Sequence, residues 1–572
     1  MDKNTPEEPF MEYDIKIVSS LEKTLPVGGE STLPELTRLS AFRGEKVSFQ
    51  VIYCYHGSFQ PDFSLTPFYR NPYATVTVEH ETGAETRIRE VGLVPVYYPH
   101  PAAYNGMKEE YYADHLGIYP DYLTDYTGGI QIRTEQWRSL WIDMDIPMDA
   151  RGGDYEVKVV VRERTAGVVA SPVLKLHVIP AVLPPQKLIH TEWFHTDCIA
   201  DYYGLEVFSE EHWRITENFM KTAVNNGINM ILVPIFTPPL DTAVGGERTT
   251  VQLVKVKKEN SSYSFDFSLF ERFIETARRA GYEYFEMSHL FSQWGAKFPP
   301  KVICETDGKS EKIFGWQKTV KESGYAEFLG EFLPALVKEL EKLGIKGKTY
   351  LHISDEPSPL DIDSYIEAKE LVKKHVGDVK TIDALSDVRF YKSGAVEKPV
   401  PGLEAVHSFL DENVPDCWCY FCCSEAVGAA NRFIAMPAYK NRILGVQLYK
   451  FRMEGLLQWG YNFYNSAGSV THINPYMVND AGEAFPAGDP FVVYPGKNGE
   501  CLESMRLPVT RQAIDDMRAL SLLESLAGRD YTVSLIDETA GMDLRFTAFP
   551  KSADFILTLR ERVSEEIEKR LG

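Results

Sequence analysis

The chain has 572 residues, 44% hydrophobic and 25% charged, the composition of an ordinary globular protein with room for about two to four domains. A net charge of −22 argues against nucleic acid and against an anionic membrane surface, because both need clustered Lys and Arg. No apolar run of about 18 residues is present to insert into a membrane. Aromatic residues at 12% are compatible with stacking on the apolar faces of sugar rings, and equally with a large core.

The opening residues, Met1 to Pro9, are polar and acidic and lack the apolar stretch of a secretory signal. That predicts a cytoplasmic protein, or a secreted one whose leader has been removed. Residues 1–180 read as an all-β sandwich. Alternating runs recur at Tyr13–Val18, Glu45–Tyr53, Ala74–Val78, Ser139–Met144, Asp154–Val161 and Val173–Val178, with turn clusters such as Arg151-Gly-Gly-Asp154 between them. Ile179–Pro185, with three prolines, reads as a stiff linker.

From residue 186 the pattern becomes helix, glycine, strand, repeated. Helices are predicted over Trp213–Asn226, Ser268–Ala280 (opened by a Ser268/Glu271 capping box), Tyr325–Leu343, Ser364–His375 and Glu425–Met436. Strands are predicted within Asn229–Phe236, Tyr282–Met287, Lys348–Ser354, Thr381–Leu385 and Gly455–Tyr464. This alternation predicts a parallel sheet closed as a (β/α)8 TIM-like barrel over 186–527, with Pro508–Leu526 as a late helix. Residues 528–572 read as an extension that mixes a β-like stretch with a terminal helix.

Neither a G-x-G-x-x-G nor a Walker sequence follows a predicted strand, so no nucleotide cofactor is expected. Cys417, Cys419, Cys422 and Cys423 cluster, but not at zinc-ribbon spacing, and read as reduced thiols; no metal is expected.

Active-site groups of such barrels collect at the C-terminal ends of the strands. Ser354-Asp355-Glu356-Pro357 stands at one such end. A Glu356 partly removed from water would hold a proton at neutral pH; the bland reading is a surface turn. Adjacency limits the mechanism. An ordinary retaining glycosidase places its two carboxyls about 5–5.5 Å apart, across the scissile bond. Consecutive residues approach from one side, which suits a reaction in which the sugar's own 2-acetamido oxygen attacks the anomeric carbon. Two long loops, Thr237–Ser264 and Phe291–Ser323, are expected to wall the substrate.

Four segments, in order, resemble glycoside hydrolase family 123, the β-N-acetylgalactosaminidases: Trp193-Phe-His-Thr-Asp-Cys198, His352-Ile-Ser-Asp-Glu-Pro357, Gln458-Trp-Gly-Tyr-Asn-Phe-Tyr464 and Asp489-Pro-Phe-Val-Val-Tyr-Pro-Gly496. Glu503-Ser-Met-Arg506 adds to the match, and Tyr464 departs from it where the family favours Trp. The resemblance spans nearly the whole chain. It implies an N-terminal β-sandwich before a (β/α)8 barrel, and release of terminal β-linked N-acetylgalactosamine from glycans such as those of glycosphingolipids. By the same resemblance Asp355 steadies the acetamido group and Glu356 is the acid/base.

Further substrate-binding candidates are Trp459 as a stacking platform and Tyr461 or Tyr391 as donors to the acetamido oxygen. His195, Asp197, Gln458, Asn462 and Asp489 are candidates to read hydroxyls. Trp294 is placed on the leaving-group side and His289 beside the sugar, although a structural role for His289 and His352 is the plainer reading. Two rivals remain: a two-carboxylate glycosidase with Glu286 or Glu192 as nucleophile opposite Glu356, and a non-catalytic carbohydrate-binding protein.

Overall fold

The computed structural model describes residues 12–28, 33–56, 72–101, 110–260, 262–293 and 295–572. The alternating runs near the N-terminus form two sheets. One orders Glu12–Ser19, Lys46–His56, Arg138–Asp145, Glu85–Val96 and Gly117–Asp125, all antiparallel. The other orders Arg38–Arg43, Val173–Val182, Gly153–Glu163, Tyr73–Glu79 and Ile130–Gln131. Inward residues of both, among them Phe49, Val51, Ile142, Val76, Val159 and Leu176, bury one another in a shared apolar cluster.

The expected linker is partly strand. Val173–Val182 runs through Pro180, pairing in parallel with Arg38–Arg43, and its register shifts between Ile179 and Val182. A shift is where a proline, which has no N–H to give, can sit in a sheet.

Seven parallel strands then form a curled sheet in the order Lys380–Thr381, Thr349–Leu351, Tyr284–Met287, Met230–Val233, Ile189–Glu192, Gly455–Gln458 and Trp418–Phe421. Asp383–Ala384 continues the first of these and pairs in parallel with Pro399–Val400. Just beyond, Tyr420 N–H donates to the Pro401 carbonyl and Leu403 N–H to the Tyr420 carbonyl. Some of the helices between the strands stop where glycine takes a left-handed backbone, as Gly281 does (φ +112°) after Ser268–Ala280.

Three local expectations change. The capping box at Ser268 is not formed. Phe267 is the cap residue, and Asp266 accepts from Ser268 N–H at 2.8 Å, so Ser268 is the first helical residue and not the cap. Residues 425–436 are not helical. Asn431 donates to the carbonyls of Cys422 and Glu425, and Gly428 has φ +74°; the helix comes later, at Tyr439–Lys450. The β-like stretch expected near the C-terminus is instead the helix Arg529–Ala540, and the expected terminal helix is Ala553–Leu571.

The two long loops fold together. Lys255–Glu259, Ser262–Asp266, Val302–Thr306 and Lys309–Phe314 make a four-stranded sheet joined across the loops by the parallel pair Lys255–Glu259 and Val302–Thr306.

Candidate active site

At the C-terminal ends of the parallel strands lies an open cleft of about 670 Å³. Asp355 and Glu356 lie on its wall just past the strand Thr349–Leu351. The backbone is locked there: Ile353 N–H donates to Asp383 Oδ1 at 3.0 Å, and Glu356 N–H to the Ala384 carbonyl at 3.1 Å.

The burial differs from expectation. Asp355 is 6% exposed, whereas Glu356 is exposed to solvent. Glu356 has φ +43°, a left-handed backbone that turns consecutive side chains apart. Burial, and then the adjacent Glu356 carboxylate, push Asp355 up to about 8. The proton-holding environment anticipated for the glutamate therefore belongs to the aspartate. Gln293 Nε2 donates to Asp355 Oδ2 at 2.9 Å, and the Tyr420 hydroxyl to Glu356 Oε1 at 2.6 Å.

Beneath the pair is a sealed polar layer. His352 Nε2 meets Glu286 Oε2 at 2.8 Å, and its Nδ1 lies 3.5 Å from Asp383 Oδ1. Burial alone would lower His352, but Asp383 and Glu286 raise it to about 9, so it is an imidazolium at neutral pH. Thr191 and Trp193 donate to Glu286, and Tyr365 to Asp383. Among the described residues, His289, His352 and Asp383 bring ligand atoms within 4.8 Å of one another. The two imidazoles, however, are stacked at 4.2 Å and 19°. Their lone pairs run side by side instead of converging as metal ligation requires, and an imidazolium between carboxylates fits the geometry better. The four clustered cysteines do not converge either: Cys417 and Cys419 are buried, while Cys422 and Cys423 line the cleft.

Trp193, Trp459, Phe463 and Phe485 give the cleft its aromatic walls. Trp459 is oriented from behind by Asp489, whose Oδ2 accepts its indole N–H at 3.0 Å. Asp489 is itself buried, and burial raises it to about 7.

His195 lines the cleft, but its ring is occupied: Nε2 meets the Trp459 carbonyl at 3.0 Å and Nδ1 faces Arg248 Nη2 at 3.0 Å. Burial, with Arg248 beside it, lowers His195 to about 3, so it stays neutral. Asp197 is sealed in a two-pronged pair with Arg248 at 2.7 Å. Gln458 accepts from Arg432, and Asn462 bonds both ways to the His195 backbone; both are fully buried. Tyr461 is equally buried and gives its hydroxyl to the Phe219 carbonyl. Tyr391 lies on the short helix Arg389–Lys392 and is not on the cleft wall. His289 is fully buried against Trp193. Trp294 lies outside the described residues.

The structure adds groups that sequence patterning did not single out: Tyr420, Gln293 and Asp241 on the wall, and Arg248 and Arg432 behind it. None belongs to a short motif. Tyr420 sits in a hydrophobic strand, and Gln293 and Asp241 in the long loops. Glu192 is paired with Arg432 and, against its burial, held down at about 2 by Arg432 and His190.

Paired carboxylates on one wall of an aromatic cleft, at the C-terminal ends of parallel strands, define the class as carbohydrate-active, with general acid/base chemistry available. The model of the glycoside hydrolase 123 catalytic domain matches residues 193–523, more than half of the chain, and the protein belongs to that family of glycoside hydrolases. A family 123 glycoside hydrolase from Clostridium perfringens, described for glycolipid glycan hydrolysis, has the same fold. It superposes with a TM-score of 0.71 at 16% identity over 97% of each chain. A termite-gut GH10 xylanase with a bacterial Ig-like domain (10% identity, 85% of this chain and 100% of that one) scores only 0.32. A Parabacteroides merdae β-glucuronidase (8% identity, 89% and 52%) scores 0.29. Neither bears on the argument. No curated protein matches the chain.

Proposed function

We propose that the protein is a retaining exo-β-N-acetylgalactosaminidase acting on glycosphingolipid-type glycans by substrate-assisted catalysis. One observation carries the mechanism: Asp355 and Glu356 share one wall, while Glu192 and Glu286, the nucleophiles considered opposite Glu356, are sealed away, and Asp241 on the same wall has its carboxyl bound to Gly468 N–H. Glu192 is 1% and Glu286 0% exposed, each held by buried partners, and neither lines the cleft. With no carboxylate of theirs able to reach an anomeric carbon, the sugar supplies its own attacking group.

In this reading the adjacent carboxyls share one proton, which passes from Asp355 to Glu356 as the sugar docks; Asp355, then ionised, accepts the acetamido N–H and steers the acetamido oxygen onto the anomeric carbon. Glu356 gives its proton to the leaving oxygen, and the glycosidic bond breaks to leave an oxazolinium ion. Glu356, now a carboxylate, takes a proton from water, whose oxygen attacks the same carbon while the bond from that carbon to the acetamido oxygen breaks and the acetamido group is restored. Two inversions give retention. Trp459 is the platform for the sugar's apolar face. The strand pairings and the bonds at Pro401 and Leu403 support reading the curled sheet as a closed (β/α)8 barrel. Fold and family resemblance support the galacto substrate.

The test uses aryl β-N-acetylgalactosaminides of graded leaving-group acidity. Glu356→Gln abolishes turnover of unactivated glycans and keeps part of it on the most acidic leaving group; Asp355→Asn slows both. Parental activity in both variants, or cleavage of the matching 2-hydroxyl sugar as fast as the 2-acetamido one, overturns the proposal.

A further inference from the structure

Gln293 joins the two halves of the cleft wall. Its Oε1 accepts the Asp241 backbone N–H at 2.6 Å, and its Nε2 donates to Asp355 Oδ2 at 2.9 Å. The first bond fixes the amide, because a flip would set N–H against N–H and C=O against a carboxyl oxygen. Asp241 is itself tied down. Its carboxyl accepts from Gly468 N–H at 3.1 Å, and its carbonyl accepts from the Ser469 hydroxyl at 2.7 Å. The donor facing Asp355 is thus anchored through two loops and cannot invert.

We infer that Gln293 is a positioning residue that decides which oxygen of Asp355 works on the substrate. Its N–H occupies Oδ2, so Oδ1 is the oxygen left to accept the acetamido N–H, and the carboxyl plane is set before the sugar arrives. This rests on the substrate-assisted reading above and deepens it. The charged groups around Asp355 are Glu356, His352 and Asp383, with Asp241 on the same wall. Gln293 is the neutral donor among them, which lets it orient the carboxyl without adding a charge.

Gln293→Glu turns that donor into an acceptor. The Asp241 N–H still claims one oxygen, and the other then faces Asp355 Oδ2, so the two carboxyls must share a proton. The expected result is an acid limb of kcat/KM displaced upward by about one pH unit or more, with kcat at neutral pH down by about tenfold and KM little changed. Gln293→Met, which keeps the volume and drops the donor that holds Asp355 down, is expected to lower kcat by about tenfold and to move that limb upward by less than Gln293→Glu does. A parental pH profile in Gln293→Glu, or parental kcat in Gln293→Met, overturns the inference. If Gln293→Glu fails to fold, Gln293→Met decides alone. The two failures are separable: Asp355→Asn with intact turnover sinks the catalytic reading itself. A crippled Asp355→Asn beside an indifferent Gln293 series sinks only the role of Gln293.

Discussion

Glu356 holds a left-handed backbone that costs a non-glycine residue about 1–3 kcal/mol. It persists because the Ala384 carbonyl and the Tyr420 hydroxyl grip both ends of the residue. The consequence is a division of labour between neighbours: Asp355 is turned in and desolvated, while Glu356 stays exposed on the cleft wall. Asp355 also leaves a mark on stability. Its value rises from 3.8 in the unfolded chain to about 8 when folded. Between those limits the native state holds a proton that the unfolded state has released, so this group's contribution falls as pH rises through the window. Asp355→Asn removes that loss. Its melting temperature relative to the parent is expected to climb steadily from about pH 4 to about pH 8 and then level off; a difference flat in pH would show that the carboxyl is not buried as described.

At the scale of elements, the sheet at the cleft is backed by helices packed to backbone contact. Gly445, in Tyr439–Lys450, faces the helix Arg506–Ala527 so closely that a Cβ there would lie 1.8 Å from the Ala513 carbonyl oxygen. Backbone cannot yield as a side chain does. Gly445→Ala is therefore expected to lower stability by about 1–3 kcal/mol or more, read from the urea unfolding midpoint. An unchanged midpoint would mean the two helices are not in contact there. The paired loops are the second element-scale feature. By joining in one four-stranded sheet, strands of the two loops hold together the segments of chain that carry Asp241 and Gln293, which are themselves bonded to each other.

At the scale of the molecule, buried ion pairs tie the N-terminal sheets to the remainder. Asp121 holds Arg506 at 2.8 Å, and Arg89 joins Asp143 to Glu503. Glu503 and Arg506, which belong to one of the family-like segments, are thus structural clamps. The C-terminal helix Ala553–Leu571 closes the assembly: Arg560 reaches Glu45 at 2.7 Å and Asp516 at 3.0 Å, all three buried. Arg560→Ala leaves Glu45 buried without its cation and is expected to cost about 3–5 kcal/mol, measured by chemical denaturation. Arg560→Met paired with Glu45→Gln, which removes both charges, should recover part of that loss. Equal losses in the two variants would mean the ion pair is not what matters.

Several features were legible because they depend on periodicity or on a covalent neighbour. The N-terminal strands follow from two-residue alternation, the helix ends from glycine, and the adjacency of Asp355 and Glu356 is covalent, so no folding is needed to know it. The helix wrongly expected over 425–436 shows the limit. Its apolar pattern is real, but Asn431 spends its side chain on the carbonyls of Cys422 and Glu425 in the same segment and Arg432 on distant Glu192, and those bonds outweigh helical preference. Only the tertiary structure decided which carboxyl is buried, since that turns on one backbone angle and on residues 28 to 64 positions away. It alone placed Gln293 and Tyr420 at the pair, and moved Tyr461, Asn462 and Gln458 behind the wall. Burial and ion pairing are properties of what the chain brings together from afar, and spacing along the sequence does not encode them.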